Sequence, residues 1–75
     1  METITRYYRI DRKEISYLKF ILEAYDGLAV VTTLDSLEGI ISITIAPGCI
    51  QDAEEILQGL KHEIMIEEMD GFVKS

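Results

Sequence analysis

Few side chains in this sequence have the chemistry of a catalyst, and their spacing limits what that chemistry can do. Cys49 follows Pro47-Gly48 at the start of an expected helix, where a thiolate is favoured. Asp52, Glu54 and Glu55 come soon after and oppose negative charge there. A nucleophile also needs a base within hydrogen-bond reach. The one histidine, His62, falls at the far end of the same helix. Cys49 therefore reads as a small packed or half-buried side chain, and His62 as a partner for the last helical carbonyls. Asp35, Glu38, Asp52, Glu54, Glu55, Glu63, Glu67, Glu68 and Asp70 include potential carboxylate pairs, but nothing brings a specific pair together in a cleft. They read as a solvated face. No catalytic residue, metal site or cofactor is expected, and the balance leans away from an enzyme.

One constellation offers binding chemistry. Arg9, Arg12 and Lys13 surround the start of a first expected helix, and Gly48 and Cys49 lie at the start of a second. Free backbone N–H groups at such ends favour anions. The first and third strands are expected to be parallel neighbours, each feeding a helix, so both helix starts open at the same end of the sheet. A small anionic ligand or carboxylate would then bind between them. Asp11 competes for that role if it caps the first helix.

The whole chain sets the bounds. Its 75 residues suit one domain, taken as residues 1–70 with a tail at 71–75. A fold of this size buries only about 60% of its unfolded surface, so pairing with a second copy is an expected source of stability. The composition, 48% apolar and 28% charged, is that of a globular domain. No apolar run approaches the ~20 residues of a membrane span, and the N-terminus lacks the pattern of a signal peptide. A single cysteine excludes an internal disulfide and a multi-cysteine metal site. A cytoplasmic location is expected.

The net charge of −7 is unevenly spread. Residues 1–20 hold five bases and three acids; residues 21–50 hold four acids and no base; residues 51–70 hold seven acids and only Lys61. Such a chain is a poor general binder of nucleic acid and has no polybasic patch for an anionic membrane.

These residues must be positioned by a small set of elements. Thr3–Ile10, rich in Thr, Ile and Tyr, reads as a strand. Ile4, Tyr8 and Ile10 share one face, with Arg6 a misfit among them; Thr3, Thr5, Tyr7 and Arg9 share the other. Asp11 reads as an N-cap, with Glu14 three residues on. Ile15, Leu18, Leu22 and Tyr25 then recur at helical spacing over residues 12–26, and Gly27 supplies a stop. Leu28–Leu34 and Ile40–Ala46 form a hairpin about the turn at 35–39. In its second strand Ile41, Ile43 and Ile45 alternate with Ser42 and Thr44. Pro47-Gly48 ends it. A second helix from Cys49 or Ile50 to His62 or Glu63 carries the stripe Ile50, Ala53, Leu57, Leu60 and Ile64. Lys61 and His62 fall in its last turn, where cations suit the helix dipole. Gly59 is a mid-helix flaw of about 1 kcal/mol against alanine, or an allowance for close packing. Met65–Met69 reads as a short last strand, followed by a tail in which Phe72 and Val73 could dock on a neighbour.

The order β-α-β-β-α-β gives an α+β fold, the ferredoxin-like βαββαβ split sandwich: a four-stranded antiparallel sheet, order 4-1-3-2, with two helices on one face. The last strand then lies beside the first, so Glu67 and Glu68 are expected to face Arg6 and Arg9. The uncovered face should present Thr5, Tyr7, Arg9, Ser42 and Thr44. It offers a contact surface for a second copy or a partner, most directly through Thr5, Tyr7, Ser42 and Thr44. The edge strand Leu28–Leu34 is a further pairing edge.

With this order in place, the chain resembles the ACT-like and ferredoxin-like group of small bacterial domains. The run Arg9-Ile10-Asp11-Arg12-Lys13-Glu14-Ile15-Ser16-Tyr17-Leu18-Lys19-Phe20-Ile21-Leu22-Glu23-Ala24-Tyr25-Asp26-Gly27-Leu28-Ala29, with Ile45-Ala46-Pro47-Gly48-Cys49, resembles a bacterial family of about this length that carries only a domain-of-unknown-function label. The resemblance covers nearly the whole chain and implies a fold, not an activity. ACT domains bind small effectors between copies and carry a glycine between first strand and first helix. Here that loop reads Ile10-Asp11-Arg12, so no ligand residue carries over. Other proteins of similar fold fit poorly. An acylphosphatase uses an asparagine, and this chain has none. A soft-metal chaperone needs paired cysteines, and a ferredoxin needs four. An RNA-recognition module stacks bases on sheet aromatics, for which Tyr7 alone is weak provision. The function expected is a non-enzymatic regulatory, ligand-sensing or interaction module, acting as a homodimer. The alternatives are a small-molecule enzyme using the anion site and a protein-partner adaptor using the open sheet face.

Overall fold

The structure is a computed structural model that describes residues 3–25 and 27–71. Its sheet holds β1 (Ile4–Ile10), β2 (Ala29–Asp35), β3 (Ile40–Ile45) and β4 (Ile66–Met69). Its helices are α1 (Ile15–Ala24) and α2 (Ile50–Leu60). The strand order is β2-β3-β1-β4, every pairing is antiparallel, and the fold is the expected ferredoxin-like α+β arrangement. Asp26 at the expected end of the first helix, and Phe72 and Val73 of the expected tail, lie outside the described residues.

Alternation decides which strand residues face the helices. Ile41, Ile43 and Ile45 on β3 are each fully buried, as are Leu18 and Leu22 on α1 and Ala53 on α2. All six join one apolar cluster with Tyr8, Ile10, Leu57 and Leu60. A single helix-covered layer thus holds the core.

The first helix starts differently from its sequence pattern. Asp11 does cap, its Oδ1 accepting from the Lys13 N–H at 3.0 Å. The turn it caps is a 3-10 turn, Arg12–Glu14, and the α-helix begins only at Ile15. The second helix, α2, stops at Leu60, so Lys61 and His62 fall in the turn beyond it rather than in its last turn. Gly59 is exposed, and a Cβ there would meet nothing within 4 Å. It serves no close packing.

Two glycines carry the chain through tight reversals. After β3, the Cys49 N–H donates to the Ala46 carbonyl at 3.0 Å, with Gly48 at φ +83°. Pro47 then Gly48 at the two central positions suits a type II turn, which needs a positive φ at its third residue. In the β2–β3 hairpin, Asp35 Oδ1 accepts from the N–H groups of Leu37 and Glu38 at 3.0 and 3.1 Å. Gly39 follows at φ +74° and accepts from the Ile10 N–H at 2.8 Å. The hairpin turn is thereby fastened to the C-terminal end of β1.

Candidate functional site

The five residues of the expected anion site do not meet. β1 and β3 are neighbours, but they run antiparallel, with Ile4 opposite Ile45 and Arg9 opposite Ile40. The reason lies in the connections. The right-handed crossover through α1 makes β2 parallel to β1, and the tight hairpin then turns β3 back. Arg9, Arg12 and Lys13 therefore stand at one end of the sheet, and Gly48 and Cys49 at the other. Roughly 20 Å of strand separates them, at ~3.3 Å per residue. At the first end, Asp11 already occupies a backbone donor, and Arg9 is held by Glu38 at 3.1 Å. At the second, α2 begins without a side-chain cap and has Asp52 in its first turn. Cys49 is half-buried at the margin of the core, and His62 is exposed. Among the described residues, no group of three or more His, Cys, Asp or Glu side chains could hold a metal ion.

The arginines on β1 also find other partners than expected. Arg6 lies on the helix-covered face and reaches Glu54 of α2 at 2.7 Å, not the acids of β4. Arg9 stands opposite Glu67 in register but binds Glu38 in the hairpin turn. Beside Arg6 is Tyr8, only 2% exposed. Burial pushes its phenol above the usual tyrosine range, and the neighbouring Arg6 partly opposes that rise. A phenol whose folded pKa is raised stabilises fully below the unfolded value of 10.0 and loses that contribution as pH rises past it. Alkaline unfolding, followed by circular dichroism from pH 9 upward, is therefore expected to be shallower in Tyr8→Phe than in the parent. Tyr17, shifted the same way by desolvation and then by Glu63, remains in the variant, so the slope falls without vanishing.

The uncovered face assembles the four expected contact residues into one block. Thr5 lies opposite Thr44, and Tyr7 opposite Ser42. The two threonine hydroxyls are 3.2 Å apart. Ser42 is buried, flanked in register by Tyr7 on β1 and Thr32 on β2. Val30 and Met69 extend the same face towards its two edges.

The edges themselves differ. β4 has four residues, and two of them are Glu67 and Glu68. β2 has seven, and its one charge is Asp35 at the end. A register shift between Thr33 and Asp35 bends that last part, which leaves Ala29–Thr33 regular. Charged, short or bulged edges resist pairing with another chain; the regular part of β2 has none of these protections.

Where β2 begins, sequence reasoning had missed an open depression of about 340 Å³. Glu23 and Tyr25 from the end of α1, Ala29 and Val30 from β2, and Thr44 from β3 line it, with Thr3, Gly27 and Ala46. A signal existed: no Lys or Arg occurs between Phe20 and Leu60, and this corner draws mainly on that stretch.

A family model described as Domain of unknown function (DUF4911) matches residues 8–64, most of the chain. The chain belongs to this family. The match to DUF4911 runs from within β1 to the turn after α2 and so takes in the hairpin and both helices. No curated protein and no solved structure matches this DUF4911 chain significantly. Among the described residues, no helix is long and apolar enough to cross a membrane.

Proposed function

We propose that this DUF4911 domain is a non-enzymatic interaction module that works as a homodimer, joined through the outer edge of β2. The observation that carries this reading is the contrast between its two sheet edges: one short and acidic, the other longer, regular and uncharged over Ala29–Thr33. In a chain of net charge −7, two copies repel over most of their surfaces. The uncharged edge is where that repulsion is least. Antiparallel pairing of two β2 strands satisfies backbone groups that no strand among the described residues covers, and it brings Val30 of each copy to the junction. A regulatory or partner-sensing role suits such a module, with the Thr5, Tyr7, Ser42 and Thr44 face left free for a further contact. The enzymatic alternative loses its support, because the two helix starts that would have formed its site lie at opposite ends of the sheet.

Size-exclusion chromatography with light scattering at micromolar concentration tests the reading. The expected mass is twice that of one 8.5 kDa chain. Thr32→Lys places a charge on the exposed edge strand without touching the core and is expected to weaken association at least about tenfold, by desolvation and like-charge repulsion. A monomeric parent, or a dimer indifferent to this substitution, rejects β2 as the junction.

A further inference from the structure

We infer that the depression at the C-terminal end of α1 is a binding site for a small organic cation, a primary ammonium ion carrying an aromatic or aliphatic body. The cavity is formed within one chain, and it shares Val30 with the proposed β2 junction. Four observations converge on it. First, the cavity of about 340 Å³ falls at the small end of those that hold organic ligands. Second, its walls are mainly apolar, with Ala29, Val30 and Ala46 offering a surface for hydrocarbon. Third, Glu23 is the one charged side chain among the described residues that line it, and it forms no ion pair among them. Fourth, the helix that supplies Glu23 ends at the same place with no basic residue in its last turn, so its carbonyl ends present uncompensated partial negative charge.

Tyr25 completes the recognition. It is the C-cap of α1 and 53% exposed, and it lines the cavity two residues beyond Glu23. An ammonium group near an exposed aromatic face and a carboxylate gains from both. The Thr3 and Thr44 hydroxyls can accept its remaining N–H donors. An anion of the same size meets repulsion from Glu23 and, among the described residues, no base in the lining. The site thus selects by sign of charge first and by apolar body second.

The test uses phenethylammonium as probe, with phenethyl alcohol and 3-phenylpropionate as matched neutral and anionic controls. Amide chemical shifts of the full chain are followed by two-dimensional NMR. The expected result is saturable shifts at Gly27, Ala29 and Thr44 with phenethylammonium at millimolar concentration, and weaker or no shifts with the controls. Glu23→Gln is expected to weaken binding roughly fivefold, the worth of one exposed charge contact, and Tyr25→Ala to weaken it comparably. Because both side chains are exposed, the same spectra verify that each variant stays folded. No saturable shift with the ammonium probe, equal response to all three probes, or unchanged affinity in Glu23→Gln overturns the assignment. Light scattering on the same samples reads the dimer separately.

Discussion

Replacing Gly39 with alanine is expected to cost at least ~3 kcal/mol of stability. Two effects act together. Gly39 adopts φ +74°, where an L side chain is strained by about 1–2 kcal/mol. An added Cβ would also fall 2.0 Å from the backbone oxygen of Ile10, which cannot swing aside as the tip of a flexible side chain can. Relieving that clash means pulling the hairpin turn away from β1. The hydrogen bond from the Ile10 N–H to the Gly39 carbonyl is then lost, and a buried donor is left unpaired at about 1–3 kcal/mol. For a chain of this length total stability is of order 4–11 kcal/mol, from ~0.05–0.15 kcal/mol per residue. Urea denaturation followed by circular dichroism checks the expectation. Gly59→Ala is the internal control. It sits in a helix with open space around it, so alanine there is expected to stabilise by about 0.5–1 kcal/mol. Equal and small effects at the two glycines would contradict the packing of the hairpin turn on Ile10.

The second large effect is expected from Ile43→Ala, at about 3–4 kcal/mol within the ~2–5 kcal/mol range for truncating buried aliphatic side chains. Ile43 is fully buried at the middle of β3, between Arg6 on β1 and Val31 on β2, and faces both helices. No neighbour can easily move into the space it leaves, because the strands on either side are fixed by the ladder. The midpoint of urea unfolding should fall sharply with the slope unchanged. Val30→Ala, one strand away but 59% exposed on the other face of the single chain, is expected to change stability by less than about 0.5 kcal/mol when measured at a concentration too low for association. A loss at Val30 as large as that at Ile43 would mean that the helices cover the wrong face of the sheet.

Most shared faces were legible from periodicity alone, although Tyr25, expected in the first helix's apolar stripe, is its exposed C-cap. The alternation of Ile41, Ile43 and Ile45, and the stripes through Leu18 and Leu22 and through Ala53, Leu57 and Leu60, lead straight to the buried cluster. Chain direction was the point of failure. Alternation is the same read forwards or backwards, so it does not say that β1 and β3 run opposite ways, and the anion site rested on their running together. The connections do say it: a right-handed crossover preserves direction and a hairpin reverses it.

The partners of Arg6 and Arg9 were missed for a related reason. Strand pairing put both beside β4, but Arg6 points to the helix side, where its long side chain reaches Glu54. Arg9 is taken by Glu38, which comes near only because Gly39 folds the hairpin turn onto Ile10. The depression near Tyr25 left only the run without Lys or Arg as a trace in the sequence, since it is assembled from the ends of elements whose relative placement no local pattern records. The Thr5, Tyr7, Ser42 and Thr44 block was legible, because all four follow from parity and register.

The inequality of the two sheet margins bears on how many copies can assemble. A strand that adds to β2 consumes the sole hospitable border, and the border left at each outer end is the glutamate-bearing one. Under the proposed β2 pairing, growth would stop at two copies related by a two-fold axis, since each outer border is then the acidic β4.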